Sequence, residues 1–262
     1  MMTDLSNQTI PKEALQALEV LQELLGWHLI GVYLYGSAVM GGLRPNSDVD
    51  ILAITNQKLS ESDRRDLRDR LLHVSGKIGN ADAIRPLEVT VINQSDVVPW
   101  HFPPKYEFMY GEWLRDRFEK GGIPEPAYEP DLAILLVQAR NTGISLFGPK
   151  AADILESVPA GDIRKAIKES LPGLVANLRG DERNVVLTLA RMWLTMSTGD
   201  IFAKDTAAEW AASRLPQAYA ELLSLAGKAY RGEVVDRWEE MEQEVNALVE
   251  HLKKEIEVSL NS

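Results

Sequence analysis

The chain contains no cysteine, which excludes disulfides, thiolate metal sites and cysteine nucleophiles. Long apolar runs are missing too. No segment approaches the roughly 18 apolar residues that a membrane span requires, and the first ten residues carry neither a basic stretch nor an apolar run of the secretory type. A cytoplasmic protein without a membrane partner is the expectation. Basic clusters are equally scarce: 28 Lys+Arg stand against 39 Asp+Glu, a formal charge of −11. Such a balance repels nucleic acid at long range and disfavours a nucleic-acid partner. It draws cationic small molecules, although solubility explains acidity equally well. The histidines His28, His73, His101 and His251 show no metal-ligand spacing. There is no internal repeat and no low-complexity tract.

What remains is an ordinary folded composition, 45% hydrophobic and 26% charged, so disorder is not expected. At 262 residues the chain can form one large domain or two modest ones. Pro11 to Leu25 reads as a helix, with Leu15, Leu18, Leu21 and Leu25 at helical spacing and Gly26 beyond them. Leu29 to Tyr35 and Val49 to Thr55 read as strands, the second buried on both faces. Ser60 to Ser75 is a charged helix that Ser60 and Asp63 can open as a capping pair. Leu87 to Ile92 alternates, with Glu88, Thr90 and Ile92 sharing one face. The aromatic stretch from Val97 to Tyr128 has no clear period, and most of its rings read as a packed cover over the sheet.

Beyond Pro130 strand signals nearly vanish. Helices are expected over Asp131–Arg140, Asp162–Leu178, Asp181–Thr198, Asp205–Arg214, Gln217–Tyr230 and Arg237–Lys254, the second kinked at Pro172. A mixed half followed by a helical half predicts an α+β protein of two domains, 1–157 and 158–262. The first would hold a mixed β-sheet flanked by helices, the second an all-α bundle.

The segment with the most chemistry is Gly36 to Asp50, GSAVMGGLRPNSDVD. Gly36–Ser37 follows a strand and can open a helix whose free N–H groups cradle phosphate. Asp48 and Asp50 come next, at the start of the following strand, where a period of two puts both carboxylates on one face. Hard oxygen ligands of this kind suit Mg²⁺, which binds through one or two carboxylates plus substrate phosphates. If the Leu87–Ile92 strand lies beside Val49–Thr55, Glu88 reaches the same metals or accepts a proton from an attacking hydroxyl. An isolated Asp-x-Asp is usually a surface turn. The combination of strand, Gly-Ser, Asp-x-Asp, second strand and later strand Glu points instead to nucleotidyl transfer.

This pattern resembles the DNA polymerase β-like nucleotidyltransferase superfamily. The runs LYGSAVMGGLRPNSDVDILA, PLEVTVI, VPWHFPP, GEWLR, GDERNVVLTLARMW and KDTAAEW extend the likeness over nearly the whole chain. Together they resemble the aminoglycoside nucleotidyltransferases that act on streptomycin and spectinomycin, and among these the spectinomycin 9-adenylyltransferases. The resemblance implies transfer of AMP from ATP to a hydroxyl of an aminocyclitol antibiotic, with two Mg²⁺ ions and a monomeric enzyme. It implies Asp48, Asp50 and Glu88 as metal ligands, with Glu88 as the base. Gly36, Ser37 and Ser47 would meet the nucleotide, and so would Asp131, Arg191, Lys204 and Tyr230. Trp113, Asp181 and Glu182 would face the drug in a cleft between the domains.

Read without the resemblance, several of these residues have ordinary explanations. Asp181 reads first as a helix cap, Lys204 as a solvated lysine and Tyr230 as a helix-end core aromatic. Arg191 lies on an otherwise apolar helix face, LTLARMWL, and needs an anion, either ATP or a carboxylate of the protein. Two other functions remain to be weighed: a dual streptomycin and spectinomycin enzyme, and a regulatory nucleotidyltransferase acting on another small molecule or a protein. Dual-specificity relatives carry a Trp and an Asp ahead of the GDE motif. Here that segment, Arg164 to Gly180, contains neither.

Overall fold

A computed structural model describes residues 10–45, 47–78 and 84–260. Asn46 of the Gly36–Asp50 motif, and Gln8 and Thr9 of the amino-terminal stretch, lie outside the described residues. The chain divides into two compact units, Met1–Ser157 and Val158–Ser262.

In the first unit a helix α1 (Lys12–Leu25) leads through a 3₁₀ turn into strand β1 (Leu29–Tyr35), and β2 (Val49–Thr55) follows the motif loop. Helix α2 (Glu61–Val74) then connects to β3 (Leu87–Asn93). The aromatic stretch resolves into short pieces: β4 (Lys105–Tyr106), β5 (Phe108–Tyr110), α3 (Arg115–Glu119) and β6 (Ala127–Tyr128). Helix α4 (Leu132–Thr142), strand β7 (Ile144–Phe147) and the short α5 (Ala151–Ile154) complete the unit. The main sheet has the order β5-β3-β2-β1-β7, with β2 and β3 parallel and every other pair antiparallel. This is the mixed sheet expected. A second ribbon pairs β4 with β6.

The sheet's two faces explain the alternation in the sequence. Val32 and Leu34, Val49, Ile51 and Ala53, and Leu87, Val89 and Val91 join one hydrophobic core with Ala14, Ala17 and Leu21 of α1 and Leu67 and Leu71 of α2. The opposite face carries, row by register row, Tyr35, Asp50 and Glu88, then Tyr33, Leu52 and Thr90. Helix α4 buries Leu132, Ala133, Leu135, Leu136 and Ala139 and touches β1 and the turn after it. Ser60 caps α2 in a full capping box: Asp63 N–H donates to the Ser60 hydroxyl and Ser60 N–H donates to the Asp63 carboxylate at 2.8 Å. Gly31, where the β1–β2 register shifts, leaves room for the Tyr33 ring, whose hydroxyl would stand 2.3 Å from any Cβ there.

Strand β7 is a difference from the sequence expectation. It has only four residues, half-buried and exposed in alternation at the sheet's edge, so it lacks the apolar density that marks the inner strands. Of the aromatic stretch, Phe108, Tyr110 and Phe118 are core residues, whereas Trp113 and Tyr128 are exposed. The packed cover is therefore only part of that segment.

The second unit is helical throughout: α6 (Ala160–Ala176), α7 (Glu182–Thr198), α8 (Lys204–Ala212), α9 (Gln217–Tyr230) and α10 (Glu242–Leu260). Helix α7 is central. It buries ten residues from Val185 to Met196 and is packed by α6, α8, α9 and α10. Trp193 meets Trp210 of α8 edge to face at 5.0 Å, and Gly199 ends α7 in the left-handed conformation. Pro172 is accommodated inside α6. The last helix begins later than its periodicity predicts, because Trp238 to Glu240 form a separate 3₁₀ turn with the Trp238 ring buried. Among the described residues no helix is long and apolar enough to cross a membrane.

Candidate active site

Parallel pairing of β2 with β3 sets Asp50 opposite Glu88, and antiparallel pairing of β1 sets Tyr35 opposite Asp50. Register partners share a face, so Tyr35, Asp50 and Glu88 form one row across three strands. Asp48 lies one residue ahead of β2. Hydrogen-bonded strands run about 4.8 Å apart, which brings the Asp50 and Glu88 carboxylates within reach of a shared cation.

The Tyr35 hydroxyl reports the field at this row. It is buried, and burial first, then the carboxylates of Glu88, Asp50 and Asp131, push its pKa well above the ordinary value. Among the described residues neither this hydroxyl nor the buried Thr90 hydroxyl has a partner in full hydrogen-bond geometry, although Thr90 lies near enough to oppose the rise in the Tyr35 pKa. Asp131, exposed at the head of α4, therefore belongs to the same acidic surroundings although it is remote in sequence.

Gly36 closes the row from the side. It has φ +65°, and a Cβ there would lie 2.0 Å from an Asp50 carboxylate oxygen. Only glycine satisfies both conditions. The turn it opens differs from the sequence expectation: Gly36–Ala38 is a single 3₁₀ turn rather than the start of a helix, with the amides of Val39 and Met40 donating back to the Gly36 carbonyl. Ser37 is half-buried in that turn.

The loop entering Asp48 is pinned by a residue that sequence reasoning missed. The Arg85 guanidinium donates to the carbonyls of Arg44 and Ser47 at 2.8 and 3.1 Å. Its own backbone N–H donates to Glu13 of α1. Ser47 is buried, and its hydroxyl accepts from the Arg44 N–H at 2.9 Å. The signal available in the sequence was slight, a single Arg two residues ahead of a strand.

Asp48, Asp50 and Glu88 are hard oxygen donors of the kind Mg²⁺ takes, and Asp50 and Glu88 adjoin in register. Among the described residues no group of three or more His, Cys, Asp or Glu side chains is placed to hold a metal ion.

Trp113 stands on a 3₁₀ turn, Glu112–Leu114, and is 56% exposed. Its neighbour Glu112 is buried and accepts from the Ser75 hydroxyl, from the Tyr110 hydroxyl at 2.8 Å and from the Arg115 guanidinium. Burial acts to raise the Glu112 pKa, but these hydrogen bonds, Arg115's first, outweigh it and hold the carboxyl below its ordinary value.

In the helical unit, Asp181 and Glu182 open α7. Asp181 does not cap the helix with its side chain. Its carboxylate instead accepts from the Asn184 side-chain amide at 2.9 Å, and the Asn184 carbonyl oxygen accepts from Lys204 Nζ. Asn184, three residues after Asp181, is the unforeseen link between two expected site residues. Glu182 accepts from the Gly180 N–H at 2.9 Å. Arg191 is half-buried on α7 and forms no hydrogen bond or ion pair among the described residues. Tyr230, at the carboxyl end of α9, is also half-buried.

Comparison with known proteins adds a second line of observation. A nucleotidyltransferase domain model matches residues 15–114, and an aminoglycoside adenylyltransferase carboxy-terminal domain model matches residues 153–255. A spectinomycin 9-adenylyltransferase of Staphylococcus aureus is 58% identical over 260 residues, 99% of this chain and 100% of that protein. Another, from Campylobacter jejuni, is 49% identical over 96% of this chain and 97% of its own length. The crystal structure of the spectinomycin adenyltransferase AAD(9) from Enterococcus faecialis, with ATP and spectinomycin, aligns with a TM-score of 0.89 at 37% identity, covering 94% of this chain and 98% of that one.

Proposed function

Because the chain belongs to the aminoglycoside adenylyltransferase family, we propose that it transfers AMP from ATP to a hydroxyl of spectinomycin. The observation that carries this reading is the register of Asp50 with Glu88 beside the Gly36 turn, in a chain with spectinomycin 9-adenylyltransferases among its near-full-length relatives.

Glu88 accepts the proton of the attacking hydroxyl, whose oxygen bonds to the α-phosphorus of ATP as pyrophosphate leaves on the opposite side. Asp48, Asp50 and Glu88 would hold two Mg²⁺ ions, which would supply neutralisation of the phosphate charge. Gly36, Ser37 and Ser47 lie along the nucleotide, with Asp131, Arg191, Lys204 and Tyr230 as further contacts. Arg191 is a half-buried cation with no acidic partner among the described residues, which favours an ATP phosphate over a carboxylate of the protein. Trp113, Asp181 and Glu182 hold the drug, an aromatic face and two carboxylates suited to a cationic aminocyclitol. The enzyme works as a monomer and has no nucleic-acid partner.

Incubation with spectinomycin, ATP and Mg²⁺ is expected to add one AMP to the drug, read by mass spectrometry, and to release pyrophosphate. No adduct on spectinomycin under conditions in which ATP binds would overturn this reading in favour of another acceptor.

A further inference from the structure

Gly111 has φ −165° and ψ 153°, extended backbone that any residue adopts. Its lack of a side chain is therefore not a conformational requirement. It is a steric one. A Cβ at Gly111 would lie 2.1 Å from Cζ3, 2.2 Å from Cη2 and 2.5 Å from Cε3 of Trp113, so the six-membered ring of the indole lies directly across the glycine.

The base beneath that ring is rigid. Tyr110 on one side is fully buried and stacks on Phe118 with centroids 5.1 Å apart. Glu112 on the other is buried and held by Ser75, Tyr110 and Arg115. The Leu114 N–H closes the turn onto the Gly111 carbonyl at 2.9 Å. An indole that is 56% exposed would ordinarily sample several rotamers. This one has a seat that only glycine leaves open.

We propose that Gly111 is a specificity-determining positioning residue, whose missing side chain seats the Trp113 ring so that it meets the aminocyclitol already oriented. The inference rests on the reading that Trp113 faces the drug. Preorganisation of this kind lowers the ordering cost of binding, and an oriented π face attracts a cationic ligand. Gly111 touches neither drug nor nucleotide; it acts through the ring. An alanine fits the backbone and displaces the exposed indole rather than the chain.

The test compares wild type, Gly111→Ala, Trp113→Ala and the double variant by steady-state kinetics in both substrates, with thermal melting as the folding control. Gly111→Ala is expected to raise the KM for spectinomycin about 10-fold, leaving the KM for ATP and the melting temperature near wild type. Trp113→Ala is expected to raise the drug KM at least as far, and adding Gly111→Ala to it should change nothing more. A wild-type drug KM in Gly111→Ala, with a raised one in Trp113→Ala, would overturn the role of Gly111 while leaving that of Trp113 intact. A wild-type drug KM in Trp113→Ala would instead overturn the reading of Trp113 itself. Should Gly111→Ala melt early, the double variant decides, because removal of the indole vacates the space. A further rise in drug KM in that background would show that Gly111 does not act through the ring.

Discussion

Asp50 and Glu88 stand side by side in register on the two parallel strands of an otherwise antiparallel sheet. Two carboxylates on neighbouring strands repel each other, and a shared divalent cation turns that repulsion into attraction. Replacing Asp50 or Asp48 with Asn should therefore abolish turnover, because each change removes a ligand charge from the proposed metal site. The check is adenylylation of spectinomycin with titrated Mg²⁺. Near-normal turnover in either variant would make the pair a structural feature only.

Glu88→Gln keeps the shape of the side chain and loses its capacity to take a proton. The rate is expected to fall about 10²–10⁴-fold, and melting should stay close to wild type, because Glu88 lies outside the hydrophobic core. A wild-type rate in single-turnover measurements would assign the proton to another group or to solvent.

Gly36→Ala tests the turn beside the carboxylates. A side chain at φ +65° costs roughly 1 kcal/mol, and its Cβ would collide with the Asp50 carboxylate. The expected result is a small drop in melting temperature with a much larger loss of rate. A variant that loses stability and keeps its rate would show that the position of Asp50 is not what Gly36 protects.

Glu112 carries a pH signature. Its carboxyl is held below the ordinary value of about 4.3, so the unfolded chain binds more protons there than the folded one. The resulting stabilisation is complete above about pH 4.3 and is lost as pH falls through the folded pKa. Glu112→Gln should be less stable at neutral pH by on the order of 2 kcal/mol, and so should melt earlier. The gap between it and wild type should close as the pH is lowered below the ordinary carboxylate value and through the depressed pKa of the folded state. Parallel curves down to acid would mean that the interactions of Glu112 do not depend on its charge.

Streptomycin should not be a substrate. Where dual-specificity relatives place a Trp and an Asp, α6 carries Leu174, Val175 and Ala176, followed by Asn177. Losing one stacking contact and one charged hydrogen bond costs on the order of 2–4 kcal/mol, roughly 30- to 1,000-fold in affinity. Calorimetry of both drugs against ATP-loaded Glu88→Gln, alongside susceptibility of cells expressing the wild type, measures the difference. Comparable binding of streptomycin, or resistance to it, would show that this reading of the Arg164–Gly180 segment is wrong.

Local chemistry sufficed for a good part of this protein. The alternation of Leu87 to Ile92 and the apolar run of Val49 to Thr55 depend on side chains a few residues apart, and the strands formed as read. The Ser60–Asp63 cap spans three residues and is equally local. The face of Asp50 and of the later strand residue Glu88 was legible for the same reason, since a strand's period of two assigns a face without knowledge of its neighbours; Asp48 lies ahead of the strand, where that period does not reach.

What the tertiary structure decided was the register and the side-chain contacts. Parallel pairing of β2 with β3 aligns Glu88 with Asp50, and no local pattern distinguishes that alignment from a slip of two residues. The edge strand Ile144–Phe147 exists because β1 offers it a partner, not because four residues favour a strand. Arg85 reaches back 41 residues to Arg44, Asn184 joins Asp181 to Lys204, and Gly111 is shaped by a ring two positions on. Each is a contact whose energy depends on where the folded backbone sends a side chain. Composition and periodicity set which residues are buried and on which face; only the paired strands and the packed helices determine what they meet there.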